Sequence, residues 1–478
     1  MAALRGLSGG DVGRNLYFLN ATLAAAAVLL IACSGCTRYS AKPLDPVAVQ
    51  QQIQRVSLDD LVNQTAESAV AGTLKLAPSE GLDADAAGLA ALLLNPGLKT
   101  KRLERGVAAG QIITAGLYPN PSLDNRFLPF NGQGRGVKSF EANLSFEVLR
   151  WNERAGEKQA KQANMEAVQF EIMAEEWKTV SEARADYWNV VAAREKLRVN
   201  QEALDLSERL TTGVRNRVAK GAGNAFELNL AELQHVKLQA ETRKLEAEAS
   251  AAERALRQAI GLPFEAELKL RIPEKPLARG KRAWGLPEVL SALTNTAGMK
   301  AVEWEYQERE GELRAAIARQ YPGLRLGPST TLDFDGNVWS SLFGFVAALE
   351  LPVLNHNQGE VKEKLAAREQ AYAAYVERLH VARSAIADAV AQAESSEKGL
   401  LFQEQELLPK AQETIRLTER ACAAGEIEAS ALLQAQASFL EVKKNYLDLL
   451  IEYRHGLQAV EAALGRRLED LVAGTEKK

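Results

Sequence analysis

An internal repeat constrains the fold of this chain more than any other sequence feature. Tyr118-Pro119 recurs as Tyr321-Pro322, and Gly156 recurs as Gly359, each 203 residues later. Two further glycines, at 221 and 261, recur 204 residues later at 425 and 465. An offset that is constant to within one residue indicates two copies of one structural plan. The 478-residue chain is therefore expected to fold as two similar halves.

Each copy contains a segment with strand periodicity after its Tyr-Pro pair. Period-two alternation predicts a strand with one apolar and one more polar face. The Gly- and Asn-containing segments 129–136 and 333–337 predict a hairpin in each copy, and hence four strands per chain. In copy one, Phe140, Ala142, Leu144, Phe146 and Val148 alternate with Ser139, Glu141, Asn143, Ser145 and Glu147, and copy two repeats the apolar set at Phe343, Phe345, Ala347, Leu349 and Leu351.

A long helical run follows each hairpin. The runs 156–221 and 359–425 contain a single proline, Pro409, and a helix of that length would extend ~95 Å. Each run ends at a glycine turn, after which a returning helix carries alternating apolar steps of three and four residues, which predicts a coiled-coil seam. The seam consists of Leu228, Ala231, His235, Leu238, Thr242, Leu245, Ala249, Ala252, Leu256 and Ala259 in copy one, and of Leu432, Ala435, Phe439, Val442, Tyr446, Leu449, Tyr453, Gly456, Val460 and Ala463 in copy two.

The N-terminus has the composition of a secretory signal. Two arginines precede an apolar segment at 21–32, which is too short for a typical membrane-spanning helix. Leu30-Ile31-Ala32-Cys33 is similar to the lipobox of bacterial lipoproteins, so we expect Cys33 to carry lipid, with Cys36 as the alternative. An ordinary cleaved signal peptide with an incidental cysteine pair is the other interpretation.

Several function classes find no support in the sequence. A net charge of −4 does not provide the excess of basic residues that is typical of nucleic-acid-binding proteins. The four histidines are scattered and none forms a pair at metal-ligand spacing, so no metal site is predicted. The Gly-x-Gly fragments lack the strand-loop-helix context of a nucleotide site. We therefore expect no enzyme activity and no cofactor.

Four strands cannot close a barrel, and open strand edges are not tolerated in lipid. Strands of about ten residues suit a tilted transmembrane β-strand. If they span a membrane, several chains must share one barrel. Two chains would give eight strands and a filled interior, whereas three would give twelve strands and room for a pore. A soluble β-layer on a coiled coil is the alternative.

Three segments carry a resemblance to a known family. They are AGLYPNPSL (115–123), LELPVLNHNQGEVKEKLAAREQAY (349–372) and AAGEIEASALLQAQASFLEVKKNYLDLLIEYR (423–454). Over roughly residues 85–468 the chain resembles outer-membrane efflux proteins of the TolC type. The resemblance implies an α+β membrane protein: a trimeric 12-stranded outer-membrane β-barrel with four strands per chain, continued by a long α-helical coiled-coil barrel in the periplasm of a Gram-negative bacterium.

The resemblance also implies roles for particular residues. The two glycine turns match the helix-turn-helix tips where periplasmic adaptors dock. The family has acids six and nine positions after the copy-two glycine at the tunnel constriction, but here those positions are Ala431 and Gln434, and Glu227 keeps an acid in copy one. The tip residues are Gly221, Ala222, Gly223, Asn224, Gly425, Glu426 and Ile427, and the expected barrel-lumen residues are Glu141, Asn143, Glu147 and Glu350.

The implied partners are two further copies of the chain, outer-membrane lipid, a periplasmic adaptor (membrane fusion) protein and an inner-membrane pump, for which the RND type is one candidate. GLYPNPSL is similar to the heavy-metal-cation branch, so the expected cargo is metal cations or small toxic compounds. A non-channel coiled-coil lipoprotein or an adaptor is the alternative function. The expected divisions are a lipoprotein signal peptide (1–32), a lipid-proximal segment (33–84), repeat one (85–270), a linker (271–289), repeat two (290–468) and a tail (469–478).

Overall fold

The computed structural model describes residues 37–56, 81–129, 137–148, 150, 152–221, 224–272, 285–335, 338–424 and 426–468. The chain divides into two units, Met1–Gln54 and Arg55–Lys478. The described part of the first unit contains helix α1 (Pro46–Gln54). Its first turn is capped by Asp45, whose carboxylate accepts hydrogen bonds from the backbone N–H groups of Val47 and Ala48.

The second unit contains both copies of the repeat in the predicted order. Copy one comprises α2 (Ala84–Leu94), α3 (Pro96–Gly116), β1 (Ser122–Pro129), β2 (Val137–Val148), α4 (Glu153–Ala219) and α5 (Ala225–Ile260). Copy two comprises α6 (Leu286–Ala292), α7 (Ala297–Ala318), β3 (Gly323–Asp335), β4 (Val338–Glu350), α8 (Gln358–Phe402), α9 (Leu408–Ala424) and α10 (Ala429–Leu464). The predicted sequence of helix, hairpin, long helix and returning helix is confirmed in each copy.

The long helix is continuous in copy one and interrupted in copy two. Helix α4 has 67 residues, as the uninterrupted sequence predicts. In copy two, a π-helical turn at Gln403–Leu407 separates α8 from α9. Pro409 is the second residue of α9, two residues after the end of this turn, and its ring would clash with the carbonyl four residues earlier in a regular α-helix. The wider π turn removes that clash, so the predicted long helical run is present in copy two as well, with a local change of helix type before Pro409.

The four strands form one antiparallel sheet in the order β1-β2-β3-β4. The two hairpins are joined by pairing of β2 with β3, in which Phe146 lies opposite Leu326 and Glu147 opposite Arg325. A side chain at Gly327 would be 1.7 Å from the carbonyl oxygen of Leu144, so this strand contact requires glycine. Among the described residues, β1 and β4 each pair along one edge, which leaves the sheet open at both sides.

The helical core lies where the long helices of both copies meet. It includes Tyr187 and Val190 of α4, Leu256 of α5, and Leu450 and Tyr453 of α10, each at most 2% exposed. Every one of the twenty predicted seam residues is buried or half-buried. The predicted coiled-coil seam is therefore confirmed in both returning helices.

Candidate functional site

The strand register sorts the sheet residues into two faces. Residues directly opposite each other in neighbouring strands lie on the same face, because side chains alternate along each strand. The apolar face contains Leu123, Phe127, Phe140, Ala142, Leu144, Phe146, Val148, Leu324, Leu326, Phe343, Phe345, Ala347 and Leu349. The polar face contains Asp124, Arg126, Ser139, Glu141, Asn143, Glu147, Arg325, Ser329, Thr331, Asp333 and Glu350.

The apolar face is unusually exposed for a soluble sheet. Phe343 is 81% exposed, Phe345 67% and Leu349 56%. A contiguous apolar surface of this kind marks contact with lipid or with another protein. The four residues predicted for the barrel lumen all lie on the opposite, polar face.

The register also shows how the charges of the polar face are arranged. Glu141 lies opposite Arg126, and Glu147 lies opposite Arg325. Asp124 instead faces Asn143, and Asp333 faces Ser139 and Ser340. Sequence reasoning missed both aspartates, because β1 and β3 had no clear alternation and their partners depend on register.

Two arginines near the start of α4 hold both Tyr-Pro boundaries between helix and strand. The guanidinium of Arg154 lies 4.0 Å from the centre of the Tyr118 ring, and its Nε donates to the Gly116 carbonyl at 3.0 Å. Arg150 Nε donates to the Tyr321 carbonyl at 2.7 Å. Both pairs thus mark the predicted change from helix to strand, and copy one anchors both.

Further polar and charged contacts lie where α7 ends and where α4 and α8 begin. Arg319 at the end of α7 forms ion pairs with Glu153, Glu157 and Glu360. Asn357 precedes α8 with φ 56°, and its side-chain amide donates to the Ala316 carbonyl at 3.0 Å. These contacts tie both long helices to α7 directly under the sheet.

Helices α4 and α7 cross at very short range. A side chain at Gly156 would be 2.7 Å from the backbone nitrogen of Ala315, and one at Gly311 would be 2.6 Å from that of Ala160. Each helix thus contributes a glycine and an alanine four residues apart, a spacing that permits close backbone approach.

The predicted tips lie at the opposite end of the long helices. Gly221 has φ 72°, which suits the turn, and Asn224 caps α5 by accepting a hydrogen bond from Phe226 N at 2.9 Å. In copy two, the backbone N–H of Glu426 donates to Ala421, and Ile427 lies in the bend before α10. Ala222, Gly223 and Gly425 lie outside the described residues, as do Cys33 and Cys36.

The predicted constriction residues differ in environment. Glu227 is 9% exposed, and its Oε2 atom is buried without a hydrogen-bond partner. Ala431 and Gln434 of copy two are exposed. The two tips are therefore not electrostatically equivalent.

Polar contacts connect the two copies midway along the helices. Lys444 Nζ of α10 lies 3.0 Å from Asn200 Oδ1 of α4 and 3.2 Å from Glu241 of α5. Nearer the sheet, Arg184 NH1 lies 2.8 Å from Glu461. A cavity of about 170 Å³ lies between α4, α5, α9 and α10, lined mainly by apolar residues that include Leu206, Leu433 and Phe439.

Two further observations concern the described residues alone. No group of three or more His, Cys, Asp or Glu side chains there could hold a metal ion. No helix in that part of the chain combines the length and apolar character needed to cross a membrane.

Solved channel structures share this fold. CusC superposes with a TM-score of 0.70 at 20% identity, covering 81% of this chain and 93% of CusC. The open MtrE channel of Neisseria gonorrhoeae gives 0.67 at 20% identity, covering 80% of this chain and 89% of MtrE. The CmeC channel of Campylobacter jejuni gives 0.65 at 14%, with coverages of 84% and 90%.

Sequence comparison agrees with the structural comparison. The pyoverdine export outer membrane protein OpmQ of Pseudomonas aeruginosa is 28% identical over 351 residues, or 69% of this chain and 70% of OpmQ. Residues 90–262 and 289–466 match the family described as "Outer membrane efflux protein", which takes in most of both repeats. Together with the duplicated hairpin and long-helix plan, this match shows that the chain belongs to the outer membrane efflux protein family.

Proposed function

We propose that this protein is the outer-membrane conduit of a tripartite efflux system, in which three copies close one 12-stranded barrel above a helical periplasmic tunnel. The observation that carries the proposal is the four-stranded sheet with two open edges and an exposed apolar face. Such a sheet is stable in lipid only when its edges are paired. Pairing of β4 with β1 of the next copy satisfies both edges, and three copies enclose a pore.

Unequal burial in the two repeats supports this closure. Helix α7 of copy two packs against both long helices, α4 and α8. Its counterpart in copy one, α3, packs on α4 but makes no comparable contact with α8. Within a closed ring, α3 would contact α8 of the neighbouring copy.

The exposed surfaces are those that this contact would cover. Gly156, Ala160, Ala163 and Ala167 of α4 are buried, whereas their repeat partners in α8, found 203 residues later, are exposed: Gly359, Glu363, Ala366 and Gln370. In α3, Leu103, Gly106, Val107, Gly110 and Ile113 are exposed, whereas the repeat partners of these five residues in α7 are buried or half-buried.

Cysteine cross-linking tests this arrangement. In a background where Cys422, and whichever of Cys33 and Cys36 does not carry lipid, are changed to serine, we expect Val107→Cys combined with Ala366→Cys to give covalent dimers and trimers with a short bismaleimide. Each single-cysteine variant should remain monomeric on denaturing gels. Cross-linking that occurs exclusively within one chain would contradict the closure.

The tips are the proposed docking sites for a periplasmic adaptor, which would connect the tunnel to an inner-membrane pump, with the RND type as one candidate. Support comes from Gly221, Asn224 and Glu426, which are exposed at the ends of the long helices, and from Phe226 in the first turn of α5, which is 68% exposed. Loss of adaptor pull-down with Phe226→Ser and retention with a distant surface change such as Lys244→Ser would support this assignment.

We further propose metal cations or small toxic compounds as cargo. OpmQ is described as a pyoverdine exporter, and pyoverdine is a third class to include in a screen. A deletion strain tested against cations, apolar drugs and siderophore secretion would separate them. Restoration of none of these phenotypes by the intact gene would contradict the cargo proposal.

Lipid attachment at Cys33, with Cys36 as the alternative, is proposed from the lipobox similarity. Cys33→Ala should abolish palmitate labelling. Labelling that persists in this variant and disappears with Cys36→Ala would move the attachment to Cys36. The division into a signal peptide (1–32), two repeats (85–270 and 290–468), a linker and a tail also remains a proposal.

A further inference from the structure

We infer that the barrel lumen itself selects for cations, and that Asp124 and Asp333 are the residues that set this selectivity. The inference rests on the proposed trimeric channel, since it requires the polar face of the sheet to line the pore. It concerns the cargo class and places selectivity in the barrel, away from the tunnel tip, where Ala431 and Gln434 carry no charge and Glu227 is buried.

The polar face of the sheet carries more negative than positive charges. Among the described residues this face carries six carboxyl residues (Asp124, Glu141, Glu147, Asp333, Asp335 and Glu350) and two arginines (Arg126 and Arg325). Asp335 is the last residue of β3 and so lies at the rim of the sheet. A third guanidinium, that of Arg150, lies 3.3 Å from Glu350. Six negative and three positive charges leave a net charge of −3 per chain, which is −9 for three chains.

The positions of the charges identify the residues responsible. Glu141 and Glu147 lie directly opposite arginines, an arrangement that favours cross-strand charge pairing. Asp124 and Asp333 lie opposite Asn143, Ser139 and Ser340, which supply hydrogen-bonding groups and no positive charge. Threefold symmetry would repeat each aspartate around the pore, giving two carboxylate rings at different depths.

Whether these carboxylate rings affect passing ions depends on the radius of the pore compared with the Debye length. Twelve strands about 4.8 Å apart and tilted by about 40° give a backbone radius of about 12 Å. Lining side chains would reduce the open radius to about 6 Å. The Debye length is about 10 Å at 0.1 M salt and about 3 Å at 1 M. Anions would thus be excluded at 0.1 M, whereas screening would largely remove the preference at 1 M.

Reversal potentials in planar bilayers test the inference. In a potassium chloride gradient near 0.1 M, we expect a K⁺/Cl⁻ permeability ratio of about tenfold for the natural protein, in line with the counter-ion enrichment of like-charged clefts. The Asp124→Asn/Asp333→Asn variant, whose polar face falls from a net charge of −3 to −1 per chain, should move most of the way to unity. The natural protein should also approach unity at 1 M.

Matched variants separate the charge from the fold. Asp124→Glu/Asp333→Glu keeps both charges and should keep the ratio, whereas Glu248→Gln removes an exposed carboxylate from α5 and should leave the ratio unchanged. If the double Asn variant does not insert, each single Asn variant, with a net charge of −2 per chain, should give an intermediate ratio.

The outcomes also separate this inference from the proposed function. An unchanged ratio in the Asn variants, or an equal loss with Glu248→Gln, would overturn the inference while the channel stands. A natural protein that conducts no ions would instead contradict the channel.

Discussion

Gly311→Ala should destabilise the protein, although alanine normally stabilises a helix. The added Cβ would lie 2.6 Å from the Ala160 nitrogen, whereas ordinary contacts begin at 3.4 Å, so α4 and α7 must move apart by about 0.8 Å. Overpacking of this kind costs about 1–3 kcal/mol, and a separation of that size forfeits a quarter to a half of the dispersion energy of each affected contact. The helix-propensity gain of about 1 kcal/mol offsets part of this cost. We therefore expect a net loss of up to about 2 kcal/mol.

Thermal unfolding followed by far-ultraviolet circular dichroism measures this effect, with all variants compared at one scan rate. Gly213→Ala in α4 is the matched control, because a Cβ there meets nothing within 4 Å. The control should gain up to about 1 kcal/mol, so the two substitutions should shift the midpoint in opposite directions. A Gly311→Ala protein at least as stable as the natural one would refute the close crossing. The crossing matters for function because it fixes α7 directly below the sheet.

Three further predictions concern the junction, the core and a tip. Arg154→Ala should lose the contacts with Tyr118 and the Gly116 carbonyl, which together contribute about 1–3 kcal/mol. Proteolysis around residue 118 should become faster, and an unchanged cleavage rate would contradict the anchoring role. Burial lowers the pKa of His455 in the folded protein, although Asp186 and Glu452 act in the opposite direction. As the pH falls below 6.5, the His455 imidazole is therefore protonated in the unfolded chain before it is protonated in the folded protein. The free energy of unfolding of the natural protein should therefore fall between pH 6.5 and pH 5. In thermal unfolding, the His455→Gln variant should lose less stability over this range than the natural protein, and an equal loss would exclude His455 as a cause. Asn224→Ala should destabilise the first turn of α5 by about 1 kcal/mol and make amide hydrogen exchange at Phe226 faster. Asn224→Asp keeps a capping oxygen and should leave the exchange rate at Phe226 unchanged.

The sequence predicted features with a local or periodic cause. Alternation in β2 separated Phe140 and Phe146 from Glu141 and Glu147, because adjacent strand residues point to opposite faces. The heptad seam and the Tyr-Pro boundaries were predictable for the same reason. The repeat itself was visible because its offset is nearly constant.

Features that depend on distant partners were not predictable. The pairing of Glu141 with Arg126, and the lack of an opposing arginine at Asp124, follow from register between strands. The Arg150–Tyr321 contact joins residues 171 positions apart, and no local pattern indicates it. The sequence shows a single proline in the long helical run, Pro409, but its accommodation by a π turn depends on how neighbouring helices hold both ends.

The central claim is that three copies of this chain form one conducting barrel. Its most direct test is to determine the subunit number of the detergent-purified complex by native mass spectrometry and to record the same sample in planar bilayers. The account predicts three chains per complex and discrete, stable conductance steps. A monomeric or dimeric species, or a trimer that inserts without conducting, would contradict it.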